Sequence, residues 1–164
     1  MSTSTNPRPV ALITGAARRV GAVIARTLHE AGYDLALHYR HSRDEMTALC
    51  ASLDVARAGG TLAVQVELGD IEQLPRLVES CVARFGRLDA VVNNASAFFP
   101  TLIGTTTTAQ WNELFASNAQ APFFLAQAAA PHLRKAHGSI VSIIDIYAEQ
   151  IGRASCRERV SPYV

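Results

Sequence analysis

Cysteine is scarce in this chain, and its three copies are badly placed for chemistry. Cys50, Cys81 and Cys156 stand at no metal-ligand or redox spacing, and an odd count argues against a disulfide framework. A charge excess of one sign is also lacking. The 15 Lys and Arg residues against 14 Asp and Glu leave a formal net charge of +1, with no basic run. That removes the electrostatic footprint by which nucleic acid or an anionic membrane surface is bound. No apolar run approaches the roughly 20 residues of a membrane span. Met1 to Arg8 have no apolar stretch of the kind a signal peptide needs; rich in Ser, Thr, Asn and Pro, they read as a disordered lead-in. What remains is about one domain's worth of chain, 49% apolar, enough for a single buried core in a protein expected to be soluble and cytoplasmic.

What is present is an alternation of strand and helix signals. Val10 to Ile13 reads as a strand, and Val20, Val23, Ile24, Thr27 and Leu28 recur at helical spacing until Gly32 supplies a stop. Leu35 to Tyr39 predicts a second strand, and Arg43 to Ala58 a helix closed by Gly59-Gly60. Leu62 to Val66 comes next as a third strand, then a helix from about Ile71 to Phe85 and a fourth strand over Ala90 to Val92. A long helix is predicted from about Ala109 to Lys135, kinked or divided by Pro122. Ser139 to Ile144 gives a fifth strand, whose apolar character suits a sheet covered on both faces. This order implies right-handed crossovers and an α/β fold with a doubly wound parallel sheet of the Rossmann type.

After Gln150 the pattern stops. Ile151 to Val160 has no amphipathic period and an abrupt excess of arginine, and one permitted coding of it matches a sequencing-library adapter. Residues 151–164 are therefore expected to be non-native and carry no functional argument. Residues 9–150 form the expected domain, truncated after the fifth strand, because an open apolar edge wants further elements.

The most telling segment is Thr14-Gly15-Ala16-Ala17-Arg18-Arg19-Val20-Gly21, a glycine turn between a strand and a helix. Such a turn brings backbone N–H groups and the positive end of the helix dipole up to a pyrophosphate. About twenty residues on, His38-Tyr39-Arg40-His41-Ser42 closes the second strand without an acid before Asp44. A site for NAD places Asp or Glu here to hold the ribose 2′-OH, whereas one for NADP needs donors or positive charge. Arg40, His41 and Ser42 can supply them. Ser42 also suits a helix N-cap, and the segment then reads as a polar loop.

These features resemble the short-chain dehydrogenase/reductases and, within them, the pteridine reductases, over about Pro9 to Gln150. The family's Thr-Gly-x-x-x-Gly-x-Gly stands here with Arg19 in place of the middle glycine, a departure typical of pteridine reductases. The resemblance implies that Gly15, Arg18, Arg19, Val20 and Gly21 bind cofactor phosphates, and that Arg19 also reaches substrate. It implies that His38, Tyr39, Arg40, His41 and Ser42 surround the 2′-phosphate of NADP(H), with Glu67 and Leu68 against the adenine. Glutamate there replaces the family's aspartate. Asn93-Asn94-Ala95 matches a motif at the nicotinamide end, so Asn93 and Ala95 join the cofactor set.

Further along, the resemblance makes Ser96 a substrate contact and stacks Phe98 on a pterin ring; without it, Phe98 reads as an ordinary loop anchor. It casts Asn118 as a catalytic residue whose backbone carbonyl holds a relay water, and Asp145 as a catalytic group in proton delivery. No metal is implied. The Tyr-x-x-x-Lys of the family is missing: Tyr147 is followed four residues later by Ile151. The chain as given is therefore expected to be an inactive fragment of an NADPH-dependent reductase of pterins or dihydrofolate, homotetrameric when intact. A ketoacyl-type carbonyl reductase and a noncatalytic dinucleotide-binding module are the alternatives.

Overall fold

The structure, a computed structural model, describes residues 8–144. The expectations for Asp145, Tyr147 and the arginine-rich tail lie outside the described residues. Five parallel strands form one sheet in the order β3-β2-β1-β4-β5: β1 (Val10–Ile13), β2 (Asp34–Tyr39), β3 (Thr61–Gln65), β4 (Ala90–Asn93) and β5 (Ser139–Ser142). Helices α1 (Arg19–Glu30), α2 (Arg43–Ala56), α3 (Leu74–Phe85), α4 (Thr108–Phe115) and α5 (Ala121–Ala136) connect them. This is the expected Rossmann-type α/β sheet.

Strand alternation divides the core into two halves. Ala11, Ile13, Leu35, Leu37, Tyr39 and Val92 point to one face, where Ala25 of α1 and Met46, Leu49 and Leu53 of α2 cover them. Val10, Leu12, Ala36 and Val91 point to the other, beneath Leu77, Val78 and Cys81 of α3 and Leu125, Ala129 and Leu133 of α5. Because β1 and β2 are buried on both faces, β1 reads as an unbroken apolar run, and β2 as an apolar run interrupted only by His38 after its opening Asp34. Burial pushes the Cys81 thiol up to about 12, so it packs as a small hydrophobe.

Three expectations need correction. The buried stripe of α1 is Gly21, Ala25 and His29; Val20 and Val23 are exposed. Small residues on that stripe let the helix lie close to the chain beneath it. The long helix is divided, as expected, but the break lies ahead of Pro122 and not at it: α4 runs into a π-helical segment, Ala116–Gln120, before α5 begins. Pro122 sits in the first turn of α5, where its missing N–H is tolerated, so it starts a helix there. Finally, all four residues of β5 are exposed, and so are Ile143 and Ile144 after it. Among the described residues β5 lies at an edge of the sheet, the open apolar edge expected of a domain that stops after its fifth strand, and it ends at Ser142, short of the expected Ile144.

At the opposite edge from the crevice, Arg8 is held, although the sequence placed it in the lead-in. Its Nε lies 3.1 Å from Asp34 Oδ1. Asp34 also attracts Arg57, whose Nε is 3.3 Å away. The terminal nitrogens of Arg57 donate to the backbone carbonyls of His29, at 3.2 Å, and of Tyr33. One side chain thus closes the C-terminal end of α1 onto the end of α2. Arg57→Leu should lower stability by about 2–3 kcal/mol, since it strands two carbonyls and leaves the mostly buried Asp34 carboxylate to the half-exposed Arg8 alone. A thermal melt of the complete protein within a degree of the parent would refute this role.

Candidate functional site

The strand order reverses between β1 and β4, and in open α/β sheets the crevice beyond that point is where ligands sit. Two loops meet there. Thr14 Oγ1 donates to the Val92 carbonyl at 3.4 Å and accepts from the backbone N–H groups of Asn94 and Ala95, each at 3.0 Å. Asn94 answers by donating its side-chain amide to the carbonyls of Thr14 (3.0 Å) and Gly15 (3.1 Å). The turn after β1 and the loop after β4 are therefore one hydrogen-bonded unit. In the sequence Thr14 and Asn94 stand only as parts of motifs, because their work is long-range and leaves no local signal.

Two glycines allow this approach. Gly15 has φ +62, and a Cβ there would lie 3.0 Å from Ala95 Cα. At Gly21 a Cβ would lie 2.2 Å from the Gly15 carbonyl oxygen, which is impossible. The cradle is one a side chain would fill, so its backbone is what faces a ligand. Helix α1 opens on Arg18 with no side-chain cap and no acid in its first turn. Its leading N–H groups and dipole therefore suit an anion.

Arg18, Arg19 and Val20 are exposed at this helix start. Arg19 has φ +52, the left-handed conformation a glycine would adopt freely. A non-glycine residue held there costs about 1–2 kcal/mol, a strain typical of functional sites. Beyond it, a belt crosses the ends of β2 and β3. Arg40 Nε lies 2.5 Å from Glu67 Oε2, Gln65 Nε2 donates to the Arg40 carbonyl at 2.9 Å, and Arg43 donates to Gln65 Oε1 at 2.9 Å. His41 is exposed and Ser42 half-buried; Ser42 precedes α2 without making a side-chain cap, so the N-cap alternative is not realised.

Other residues assigned to the cofactor face inward. Tyr39 and Leu68 belong to the two halves of the core. Asn93 is buried at the β4–β5 pair and donates to Ser142 Oγ at 3.2 Å, while its Oδ1 has no hydrogen-bond partner. His38 is only 2% exposed. Its Nδ1 accepts from the Gly15 N–H at 3.1 Å, and its Nε2 meets the Val66 carbonyl at 3.0 Å. Both ring nitrogens are spent inside the protein, which a strand-end motif cannot reveal.

Burial lowers the pKa of His38, opposed by the Val66 carbonyl and Glu67; burial, then Arg57, lowers that of His29. A histidine with a lowered folded pKa is neutral in the fold and takes up a proton on unfolding. Its stabilising contribution is thus complete above the ordinary value of 6.5 and is lost as pH falls below it. The melting temperature should stay level from about pH 8 to 7 and drop between about 6.5 and 5, before most carboxylates titrate. A flat profile across that lower window would exclude both histidines as the cause.

On the β4 side, Ser96 and Phe98 are exposed in the loop that leaves the strand, Phe98 at 74%. Asn118 lies in the π-helical segment and clamps this loop, donating from Nδ2 to the Ala97 carbonyl at 2.8 Å and accepting from the Ala97 N–H at 3.3 Å. Pro122, four residues on, has no N–H to give the Asn118 carbonyl, and π segments commonly mark functional positions. Asn118 also lines a groove of about 350 Å³ with Thr101, Trp111 and Phe115. Among the described residues no cluster of His, Cys, Asp or Glu could hold a metal, and no helix is long and apolar enough to cross a membrane.

Fold and crevice together define a doubly wound α/β protein of the Rossmann class, with its ligand edge at the C-terminal ends of β1 and β4. The family model described as short chain dehydrogenase matches residues 9–155, and the chain belongs to that family, whose members work with nicotinamide dinucleotides. It is 32% identical to pteridine reductase 1 of Leishmania tarentolae, over 90% of this chain and 64% of that protein. To a 3-oxoacyl-(acyl-carrier-protein) reductase of Staphylococcus aureus it is 30% identical, over 83% of this chain and 55% of the relative. To versicolorin reductase 1 of Aspergillus parasiticus it is 34% identical, over 77% of this chain and 48% of the relative. The chain thus spans between about half and two thirds of the length of these relatives.

Proposed function

We propose that the complete protein is an NADPH-dependent reductase of pterins or dihydrofolate. The observation that carries this reading is Arg19, an arginine kept in a glycine's backbone conformation at an uncapped helix start. A cation is disfavoured by the helix dipole there unless an anion or an electron-rich ring is brought to it. Similarity to a pteridine reductase supports the same substrate class.

In this reading Gly15, Arg18, Val20 and Gly21 hold the pyrophosphate, and Arg40, His41 and Ser42 take the 2′-phosphate. Glu67 borders the adenine with Leu68 buried behind it, and Ala95, next to the buried Asn93, shapes the nicotinamide end. The bound cofactor supplies hydride to the carbon of a C=N bond. Phe98 offers its face to a flat heteroaromatic ring, Ser96 donates to the ring's edge, and Arg19 reaches the substrate beside the phosphates. The proton for the nitrogen comes through Asp145, and the Asn118 carbonyl holds the relay water. The assembled form in this reading is a homotetramer, and exposed Trp111, Phe115 and Phe123 on α4 and α5 are apolar surface that an interface between copies would cover.

Purified complete protein should oxidise NADPH with dihydrobiopterin or dihydrofolate. Turnover confined to ketones or acyl thioesters would discard the pterin reading in favour of a ketoacyl-type reductase. Phe98→Ala should raise the KM for a pterin about tenfold, the order of one lost stacking contact, with little change in NADPH affinity. Equal losses for both ligands would make Phe98 a packing residue.

A further inference from the structure

We infer that His38 is a positioning residue that ties the phosphate-facing glycine turn to the adenine-side loop and thereby sets dinucleotide affinity without touching the ligand. The inference rests on the reading that this crevice holds a dinucleotide. Its geometry does not. One imidazole spans the C-terminal ends of three neighbouring strands: it stands on β2, accepts from Gly15 just beyond β1, and meets the carbonyl of Val66 just beyond β3.

Only one protonation form fits both contacts. Nδ1 accepts a backbone N–H, so it carries no proton; Nε2 faces a carbonyl, so it must carry one. The ring is therefore neutral and in the Nε2–H tautomer. Burial favours that neutral form, against a partial pull from Glu67, the charged group acting on the ring.

Each partner of the ring controls the segment next to it. Gly15 is wedged against Ala95, with no room for a Cβ, so a small lift of its N–H displaces the whole turn. Val66 directly precedes Glu67, which pairs with Arg40. An aliphatic residue at position 38 would leave a part-buried N–H and a buried C=O without the imidazole, one on each loop. The backbone bonds of Ala16 to the His38 carbonyl, at 2.9 Å, and of Val66 to the Tyr39 carbonyl, at 3.3 Å, would remain. The direct tie between Gly15 and Val66 would be lost, and with it the exact setting of the two loops for a ligand that bridges them.

Two amide variants separate the halves of the ring. His38→Asn places an acceptor where Nδ1 stands and keeps the Gly15 contact, while His38→Gln places a donor near Nε2 and keeps only the Val66 contact. His38→Leu keeps neither. In the complete protein, NADPH affinity by fluorescence titration should fall at least tenfold in His38→Gln and His38→Leu, and about threefold in His38→Asn. Melting temperatures should fall by similar amounts in the two amide variants, since each loses one buried hydrogen bond. Nitrogen NMR of the unaltered protein should show an unprotonated Nδ1 and a protonated Nε2 at neutral pH.

An Nδ1-protonated ring, or affinity losses that track the melting temperatures instead of the Gly15 contact, would overturn the inference alone. If the unaltered protein bound neither NADPH nor NADH, the functional reading itself would fall.

Discussion

Gly21→Ala is expected to remove dinucleotide binding and to cost about 3 kcal/mol or more of stability, the range of severe core overpacking. An ideal Cβ at this position lies 2.2 Å from the Gly15 carbonyl oxygen, 2.7 Å from Asn94 Nδ2 and 2.9 Å from Ala16 Cα. Two of these three atoms are backbone, so no rotamer change relieves them. Relief requires α1 to move away from the glycine turn, or Asn94 to give up its bonds to the Thr14 and Gly15 carbonyls. The first movement withdraws the helix N-terminus from where a phosphate would sit, and the second releases the turn itself. Gly69→Ala is the fitting control, because its nearest neighbour is a flexible glutamate oxygen at 3.6 Å. Melting and NADPH titration of both variants decide the matter: a Gly21→Ala protein that melts within about 1 kcal/mol of the parent would show that the helix and turn are not packed as described.

Some of this architecture was legible in the chain and some was not, for reasons that differ by residue. Val10 to Ile13 and Leu35 to Tyr39 announced themselves because burial on both faces leaves a run that is apolar but for His38, with no alternation to misread. Val20 and Val23 misled, since a helical period of large apolar residues normally marks the buried face. Here the buried face had to be small, Gly21 and Ala25, to admit the turn beneath it. Pro122 signalled a break in the long helix, but a propensity argument places the break at the proline. The π segment lies just before it, where Asn118 reaches across to Ala97.

Least legible were the side chains whose partners are remote in sequence. The bonds of Arg57 to His29 and Tyr33 depend on how two helices end side by side, and no local pattern marks them. His38 sat in a motif that suggested a ligand contact; only the neighbouring strand ends show that its nitrogens are already engaged. The exposed cations were the reverse case. Arg18, Arg19 and Arg40 stood out by residue type at two loop positions, and the fold leaves all three on the surface of those loops.

Arg40→Ala should reduce the preference for NADPH over NADH roughly ten- to a hundredfold, the loss of one charge-assisted contact of about 1.5–3 kcal/mol. The guanidinium is already oriented: Glu67 holds Nε at 2.5 Å, and Gln65 fixes the residue's backbone carbonyl. That pairing engages one edge of the group, and the two terminal nitrogens are those a phosphate would take. A prepared arginine loses little side-chain freedom on binding, which favours affinity. In the proposed reading removing it has a second effect, because the Glu67 carboxylate would then stand unneutralised where the 2′-phosphate would bind. The double variant Arg40→Ala/Glu67→Gln should accordingly regain part of the NADPH affinity lost by the single one, while NADH binding stays nearly level in both. Competitive titration with the two nucleotides reads this directly. Should Arg40→Ala leave their ratio unchanged, the 2′-phosphate must be met elsewhere; Arg18 is then the next cation to test, since it is exposed at the helix start with only a 3.9 Å ion pair to Glu45. His38 drops out of that search, because a ring with both nitrogens bonded inside the protein has no donor left to offer a phosphate.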